Sequence, residues 1–111
     1  MNINKYLISY DCTILQGIEL INYNKNKTIF VVKNKKIIGS LSNGDILKSL
    51  LRKIDLNSSV YKIMNKSFKF LKTKDEEKAK KMFKQFGISL LPVLNTKMNL
   101  IHLYILKDFI K

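Results

Sequence analysis

One stretch of seven residues decides how the chain is interpreted: Gly39-Ser40-Leu41-Ser42-Asn43-Gly44-Asp45. It follows one apolar segment and precedes another, so a strand is predicted to end where a helix begins. Ser42 and Asp45 have the spacing of a capping box, in which a hydroxyl and a carboxylate satisfy free amides at a helix start. The same junction can hold a nucleotide, because helix amides attract phosphate and a carboxylate accepts hydrogen bonds from both ribose hydroxyls. A plain helix cap is the simpler interpretation of this motif alone.

The chain repeats its pattern after about 60 residues. Three pairs share this offset: Thr13 with Thr73 (each at the start of a predicted capping box), residues 29–32 with 91–94, and Asp45 with Asp108. Two copies of one unit indicate a module with pseudo-twofold symmetry rather than a long solenoid.

Hydrophobic periodicity and turn residues predict similar elements in each half. The first half has a strand near 6–9, a helix at 13–22, strands at 28–32 and 37–41, and a helix at 43–53. The second half has a helical turn at 60–64, a strand at 68–71, a helix at 75–86, strands at 88–94 and 100–104, and a short helix from 107. Gly87 is predicted to end its helix, and Pro92, which has no amide donor, predicts a strand edge on that side. The fold class is therefore α+β.

Composition narrows the functional classes. The net charge is +13, which favours an anionic partner. Arg52 is the only arginine, and specific recognition of nucleic acid usually uses arginine, so a nucleic-acid-binding domain is the less favoured alternative. The sequence contains no apolar run long enough to span a bilayer and no signal-like start, and its single cysteine, Cys12, fits a reducing compartment. We therefore expect a cytoplasmic protein without a membrane partner.

The sequence offers little for catalysis. It shows no nucleophile–base pair and no phosphate-binding glycine loop of the Walker type. His102 is the only histidine, and the acidic residues are scattered, so no metal site is predicted. We expect the isolated chain not to be an enzyme.

These motifs resemble a tandem pair of cystathionine-β-synthase (CBS) domains, also called a Bateman module. The resemblance covers nearly all of the chain and is carried, in order, by Thr13, Phe30-Val31-Val32, residues 39–45, Val60-Tyr61-Lys62-Ile63-Met64 and Leu91-Pro92-Val93-Leu94. It implies a single module of two β-α-β-β-α repeats, about residues 1–56 and 57–111. The string at 42–47 is also similar to CBS pairs that precede bacterial sugar nucleotidyltransferase domains, which implies such a domain as an attachment or partner.

The resemblance implies a regulatory module that binds AMP, ADP, ATP or S-adenosylmethionine in clefts between the repeats, with no other cofactor. The first cleft would use Ser42, Asn43, Asp45, Thr73, Ile88, Ser89 and Leu90. In it, Asp45 would hold the ribose diol, Ser42 and Thr73 would face phosphate, and Ile88 and Leu90 would flank adenine. Helix caps and core packing are the alternative roles of these residues.

A second, weaker cleft would use Thr13, Thr28 and Asp108. It departs from the family pattern, because Ile105 stands in place of a hydroxyl and His102 in place of a glycine. We expect it to be empty or weakly occupied.

The resemblance also implies a homodimer. We expect it to form through helix faces that carry Ile46, Leu50, Phe83 and Phe86, since large exposed apolar patches usually mark interfaces. A CBS-fold dimerisation module without a ligand is the alternative function.

Overall fold

Three strands and two helices form the first of two units in the computed structural model, which describes residues 3–110. The units divide after Phe68. The elements of the first are β1 (Leu7–Ser9), α1 (Ile14–Asn24), β2 (Thr28–Lys33), β3 (Lys36–Ser42) and α2 (Asn43–Leu51). Those of the second are α3 (Glu76–Phe86), β4 (Leu90–Leu94) and β5 (Leu100–Ile105). Short 3-10 turns lie at Ile3–Tyr6, Val60–Lys62 and Leu106–Phe109. The α+β class is confirmed.

The sheet of the first unit has the order β1-β2-β3, with β1 parallel and β3 antiparallel to β2. Its core is built from aliphatic side chains of both helices and the strands, with Val60 added from the following segment. That segment is tied on by hydrogen bonds from the Val60 amide to the Cys12 carbonyl and between Ser40 and Asn65. Residues 57–68 therefore pack with the first unit. The repeat boundary near residue 56, a division of sequence, stays a prediction.

Both predicted helix starts in the first unit are confirmed. The Gln16 amide donates to Thr13 Oγ1 (3.1 Å) and the Thr13 amide donates to Gln16 Oε1 (2.9 Å), which completes a capping box at α1. Asn24, the last residue of α1, is buried and donates from Nδ2 to the carbonyls of Lys5 and Thr28, both at 3.0 Å. These bonds fix where β2 begins.

The second unit is simpler than predicted. β4 pairs antiparallel with β5 over a core that includes Ala79, Phe83 and Tyr104. The strand predicted at 68–71 is wrong, because only Leu71 forms a bridge, to Val93. The Leu71 amide donates to the Pro92 carbonyl (2.9 Å), but Pro92 has no N–H to return, so a ladder cannot extend on that side. The predicted edge at Pro92 agrees with β4 having a strand neighbour on one side only.

The capping box predicted at Thr73 is also wrong. Asp75 is the N-cap of α3, and its Oδ1 accepts from the Lys78 amide at 3.0 Å. Asp75 is a preferred N-cap residue, and its carboxylate suits the positive end of the helix dipole, so the helix starts two residues later than at a Thr73 cap. Gly87 ends α3 in the left-handed conformation (φ 63°), as predicted. Ile88 and Ser89 precede β4 rather than belonging to it.

Two residues of the predicted dimer face are buried. Ile46 is 8% exposed and Phe83 is 4% exposed, and each packs in the core of its own unit. The exposed apolar residues of α2 are instead Leu47, Leu50 and Leu51. The sheet sets which face of an amphipathic helix points inward, and the helical period alone does not. Among residues 3–110, no helix has the length and apolar character needed to cross a bilayer.

Candidate functional site

The junction between β3 and α2 has the predicted hydrogen bonds. The Ser42 amide and hydroxyl both donate to Asp45 Oδ2, at 2.9 and 3.0 Å. The Asp45 amide donates in return to Ser42 Oγ at 3.3 Å, which makes this a complete capping box. The cap interpretation is therefore confirmed. It does not exclude a ligand, because only one carboxylate oxygen is used.

Asp45 keeps capacity for a further donor. Both side chains of the box are half-buried, so they remain accessible from solvent. No residue among 3–110 donates to Asp45 Oδ1. A carboxylate oxygen accepts about two hydrogen bonds, so Oδ1 can take one or both hydroxyls of a diol.

The backbone around the box also faces the helix start. The Asn43 amide donates to the Lys27 carbonyl at 3.1 Å, and Lys27 has a positive φ of 64°. The Gly44 amide, in contrast, has no partner within the described part of the chain. A Cβ added at Gly44 would meet only Ser42 Oγ, at 3.6 Å, so the first turn of α2 is open at this point. An open amide at a helix N-terminus is a suitable donor to phosphate.

Thr28 lies next to this site rather than apart from it. In the register of β2 and β3, Thr28 is opposite Ser42. The sequence assigned Thr28 to the second cleft together with Thr13, but Thr13 caps the far end of α1. An 11-residue helix is about 16 Å long, so α1 separates the two threonines by roughly that distance.

The remaining first-cleft residues belong to the second unit. Thr73 is exposed ahead of α3, Ile88 and Ser89 are half-buried, and Leu90 is only 3% exposed. Leu90 is opposite Ile105 in the β4–β5 register, and the Ser89 carbonyl accepts from the Leu106 amide at 2.9 Å. The two groups of residues are described each within its own unit, so the first cleft stays a prediction.

The second unit has no equivalent of the Ser42 cap. Ile105 stands at the start of the last 3-10 turn and makes no side-chain capping bond, and Asp108 is exposed. The turn has four residues where α2 has nine. His102 packs edge-on against Tyr104, with ring centroids 4.6 Å apart. The junction that carries Asp108 therefore lacks both the hydroxyl and the long helix of the first unit.

The electrostatic field of the described residues is strongly positive. Lys80 and Glu77 form the single salt bridge found among residues 3–110, at 3.3 Å and in an exposed position. The other lysines are not neutralised by such pairs, which favours anionic ligands generally. No group of three or more His, Cys, Asp or Glu side chains in residues 3–110 could hold a metal ion.

Sequence reasoning missed two contributors, the Gly44 amide and Thr28 beside Ser42. Gly44 carries a usable signal, since a glycine in the first turn of a helix leaves the backbone uncovered. The position of Thr28 has no signal in the sequence, because a bulge in the β2–β3 hairpin determines it.

No protein-family model matches the sequence, and a comparison with curated proteins finds no match. Solved structures do match. A CBS domain protein from Pyrobaculum aerophilum complexed with AMP is 19% identical, with a TM-score of 0.75 over 94% of this chain and 82% of that one. The CBS domains of a transcriptional regulator from Streptococcus pneumoniae are 14% identical, with a TM-score of 0.76 over 95% of this chain and 87% of that one. The cytosolic domain of the Mg²⁺ channel MgtE in complex with ATP is 19% identical, with a TM-score of 0.73 over 95% of this chain and 44% of that one. The chain adopts the CBS-domain fold.

Proposed function

We propose that this chain is a regulatory module that senses an adenosine nucleotide, with Asp45 as the ribose-binding residue. One observation carries the proposal: the Asp45 carboxylate is held by Ser42 through Oδ2 alone, at an open helix start, and Oδ1 has no donor among the described residues. Two proteins with the same fold support it, since one is complexed with AMP and another with ATP. Fold similarity alone does not establish a working site, so the residues must be tested.

The capping box supplies a way to couple ribose and phosphate. One ribose hydroxyl donates to Asp45 Oδ1, and the other replaces the Ser42 hydroxyl at Oδ2. The Ser42 hydroxyl, which now donates to Oδ2 at 3.0 Å, is then free to donate to phosphate. The Gly44 amide and the dipole of α2 add to the attraction for the phosphate group.

The rest of the ligand requires the second unit. We assign Thr73 to the phosphate, and Ile88, Ser89 and Leu90 to the adenine. Because Leu90 is almost fully buried, its contact with a base requires local rearrangement. A cleft built on Asp108, with Thr13 and Thr28, is weaker, because Ile105 offers no hydroxyl to a ligand. The module has no reaction of its own in this proposal.

Calorimetric titration with AMP and with its 2′,3′-dideoxy analogue tests the ribose contact directly. We expect AMP to bind and the dideoxy analogue to bind roughly tenfold or more weakly, because the buried bonds to the carboxylate are lost. Asp45→Asn should bind both compounds with the same reduced affinity. Equal affinity of the unaltered chain for both compounds would show that Asp45 does not hold the ribose.

A dimerisation role is the second candidate, favoured by the exposed apolar face of α2. Leu47, Leu50 and Leu51 are 58%, 47% and 75% exposed, which is unusual for three leucines on one helix. We propose a homodimer through this face, whether or not a nucleotide binds. A nucleotidyltransferase partner and a cytoplasmic location remain proposals that rest on residues 42–47 and on Cys12.

Light scattering at tens of micromolar tests the dimer. We expect about twice the chain mass of 13.0 kDa. Leu47→Asp combined with Leu51→Asp should give a monomer of unchanged fold, since both side chains are largely exposed in the single chain. Ile101→Asp, at a position that is 49% exposed on β5, is the matched control and should stay dimeric. A monomeric unaltered chain would contradict the proposal.

A further inference from the structure

We propose that the outer edge of β1 binds an extended acidic peptide segment, which adds a strand to the sheet of the first unit. An open groove of about 440 Å³ lies along this edge. It is lined by Leu7, Ile8, Ser9 and Tyr10 on one side and by residues 32–34 on the other. The capping box of α2 contributes nothing to this groove, so the site is separate from the one proposed for the nucleotide.

The backbone of β1 has groups that point outward. In the order β1-β2-β3, β1 is the end strand and pairs only with β2 among the described residues. The Tyr10 amide donates to the Val32 carbonyl at 3.0 Å, so Tyr10 and, two residues earlier, Ile8 direct their polar groups toward β2. Leu7 and Ser9 direct theirs away from it.

Two of these outward groups are available. The Ser9 carbonyl accepts from the Cys12 amide at 3.0 Å and is occupied. The Ser9 N–H and the Leu7 carbonyl have no partner in the part of the chain that the structure describes. They form a donor and an acceptor two residues apart, which is the spacing at which an added strand pairs.

Charge at one end of the groove selects an acidic occupant. Lys33 lies in its wall, with Nζ 4.7 Å from the centroid of the Tyr10 ring, and Lys36 is its partner across the hairpin. Asp11 is the nearby acid, and its Oδ1 already accepts from Ser9 Oγ at 2.7 Å. Lysines at a strand edge repel other basic edges. A second copy of this chain, with a net charge of +13, is therefore disfavoured, and an acidic segment is favoured.

A fluorescein-labelled octapeptide of alternating valine and glutamate is a suitable probe, read by fluorescence anisotropy. We expect saturable binding that shifts the Ser9 amide resonance in a ¹⁵N spectrum. Lys33→Glu combined with Lys36→Glu should weaken binding by roughly tenfold, because two attractions become repulsions. Lys97→Glu combined with Lys107→Glu makes the same change of charge in the other unit and should leave binding within about twofold.

A second peptide separates strand addition from charge attraction. The same octapeptide, N-methylated at every second residue, keeps its charge but loses backbone donors, and we expect it to bind roughly fivefold or more weakly. Ser9→Pro should have a similar effect by removing the outward N–H. If the methylated peptide binds equally well, or if the control variant loses as much affinity as Lys33→Glu with Lys36→Glu, the edge does not bind peptides as a strand.

Discussion

Saturating AMP raises the melting temperature of this protein by about 10 °C. The expectation follows from linkage, since a ligand at a hundredfold excess over its dissociation constant stabilises the folded state by about 2.7 kcal/mol. For a domain of this size, each kcal/mol moves the melting temperature by about 4 °C or somewhat more. The same response is expected for ADP and ATP if the adenosine part carries recognition. Differential scanning fluorimetry measures it.

Two aspartates at equivalent positions of the repeats provide matched variants. Asp45→Ala should abolish the shift with AMP while the chain stays folded, because loss of a helix cap costs about 1 kcal/mol. Asp108→Ala should keep most of the shift, because its junction has no capping hydroxyl and a much shorter helical turn. Equal responses of the two variants would contradict the assignment of the site to the first unit.

The basic surface requires a control for simple attraction of phosphate. Inorganic triphosphate carries the charge of ATP without the adenosine. We expect it to raise the melting temperature far less, and the difference to persist when salt is increased, since screening weakens surface attraction first. A nucleic-acid-binding surface would instead lose affinity steeply with salt. If triphosphate stabilises as strongly as ATP, the dimerisation role replaces the sensor role.

Local signals in the sequence predicted the most important geometry. A capping box spans four residues, so Thr13 with Gln16 and Ser42 with Asp45 could be recognised without the rest of the fold. The comparison between repeats failed at Thr73. Its offset from Thr13 is correct, but Asp75 lies two residues later and competes successfully for the helix amides. Similar spacing therefore did not ensure the same hydrogen bond.

Features that depend on pairing between distant segments could not be predicted. The bulge between Val31 and Val32 shifts the β2–β3 register by one residue. Continued from Lys33 opposite Lys36, an unbulged hairpin would set Thr28 against Leu41 and point alternate side chains to the wrong face. The bulge sets Thr28 against Ser42 instead.

The second largest effect expected concerns Gly39 and Met64, which come from two separate motifs of the sequence. A Cβ at Gly39 would lie 2.6 Å from Met64 Sδ and 2.8 Å from its Cγ. Gly39 is in extended β3, so the requirement is for space and not for an unusual backbone conformation. Gly39→Ala should therefore destabilise the protein by about 2 kcal/mol, as overpacked cores do, and lower the melting temperature by about 8 °C.

A double-mutant cycle tests whether this contact couples the two motifs. Met64→Ala alone leaves a cavity and is destabilising, but in that background Gly39→Ala should cost about 0.5 kcal/mol or less, because the clashing atoms are gone. Gly44→Ala, five residues along the same motif, is the control and should leave stability unchanged or raise it by up to about 1 kcal/mol, since its added Cβ meets only Ser42 Oγ at 3.6 Å. Urea denaturation measures all four free energies of the cycle. Additive effects of Gly39→Ala and Met64→Ala would mean that Gly39 is required for a reason other than the close approach of Met64. A coupling of 1 kcal/mol or more would mean that the segment after the first repeat holds β3, and with it the start of α2, in the position from which Asp45 can meet a ligand.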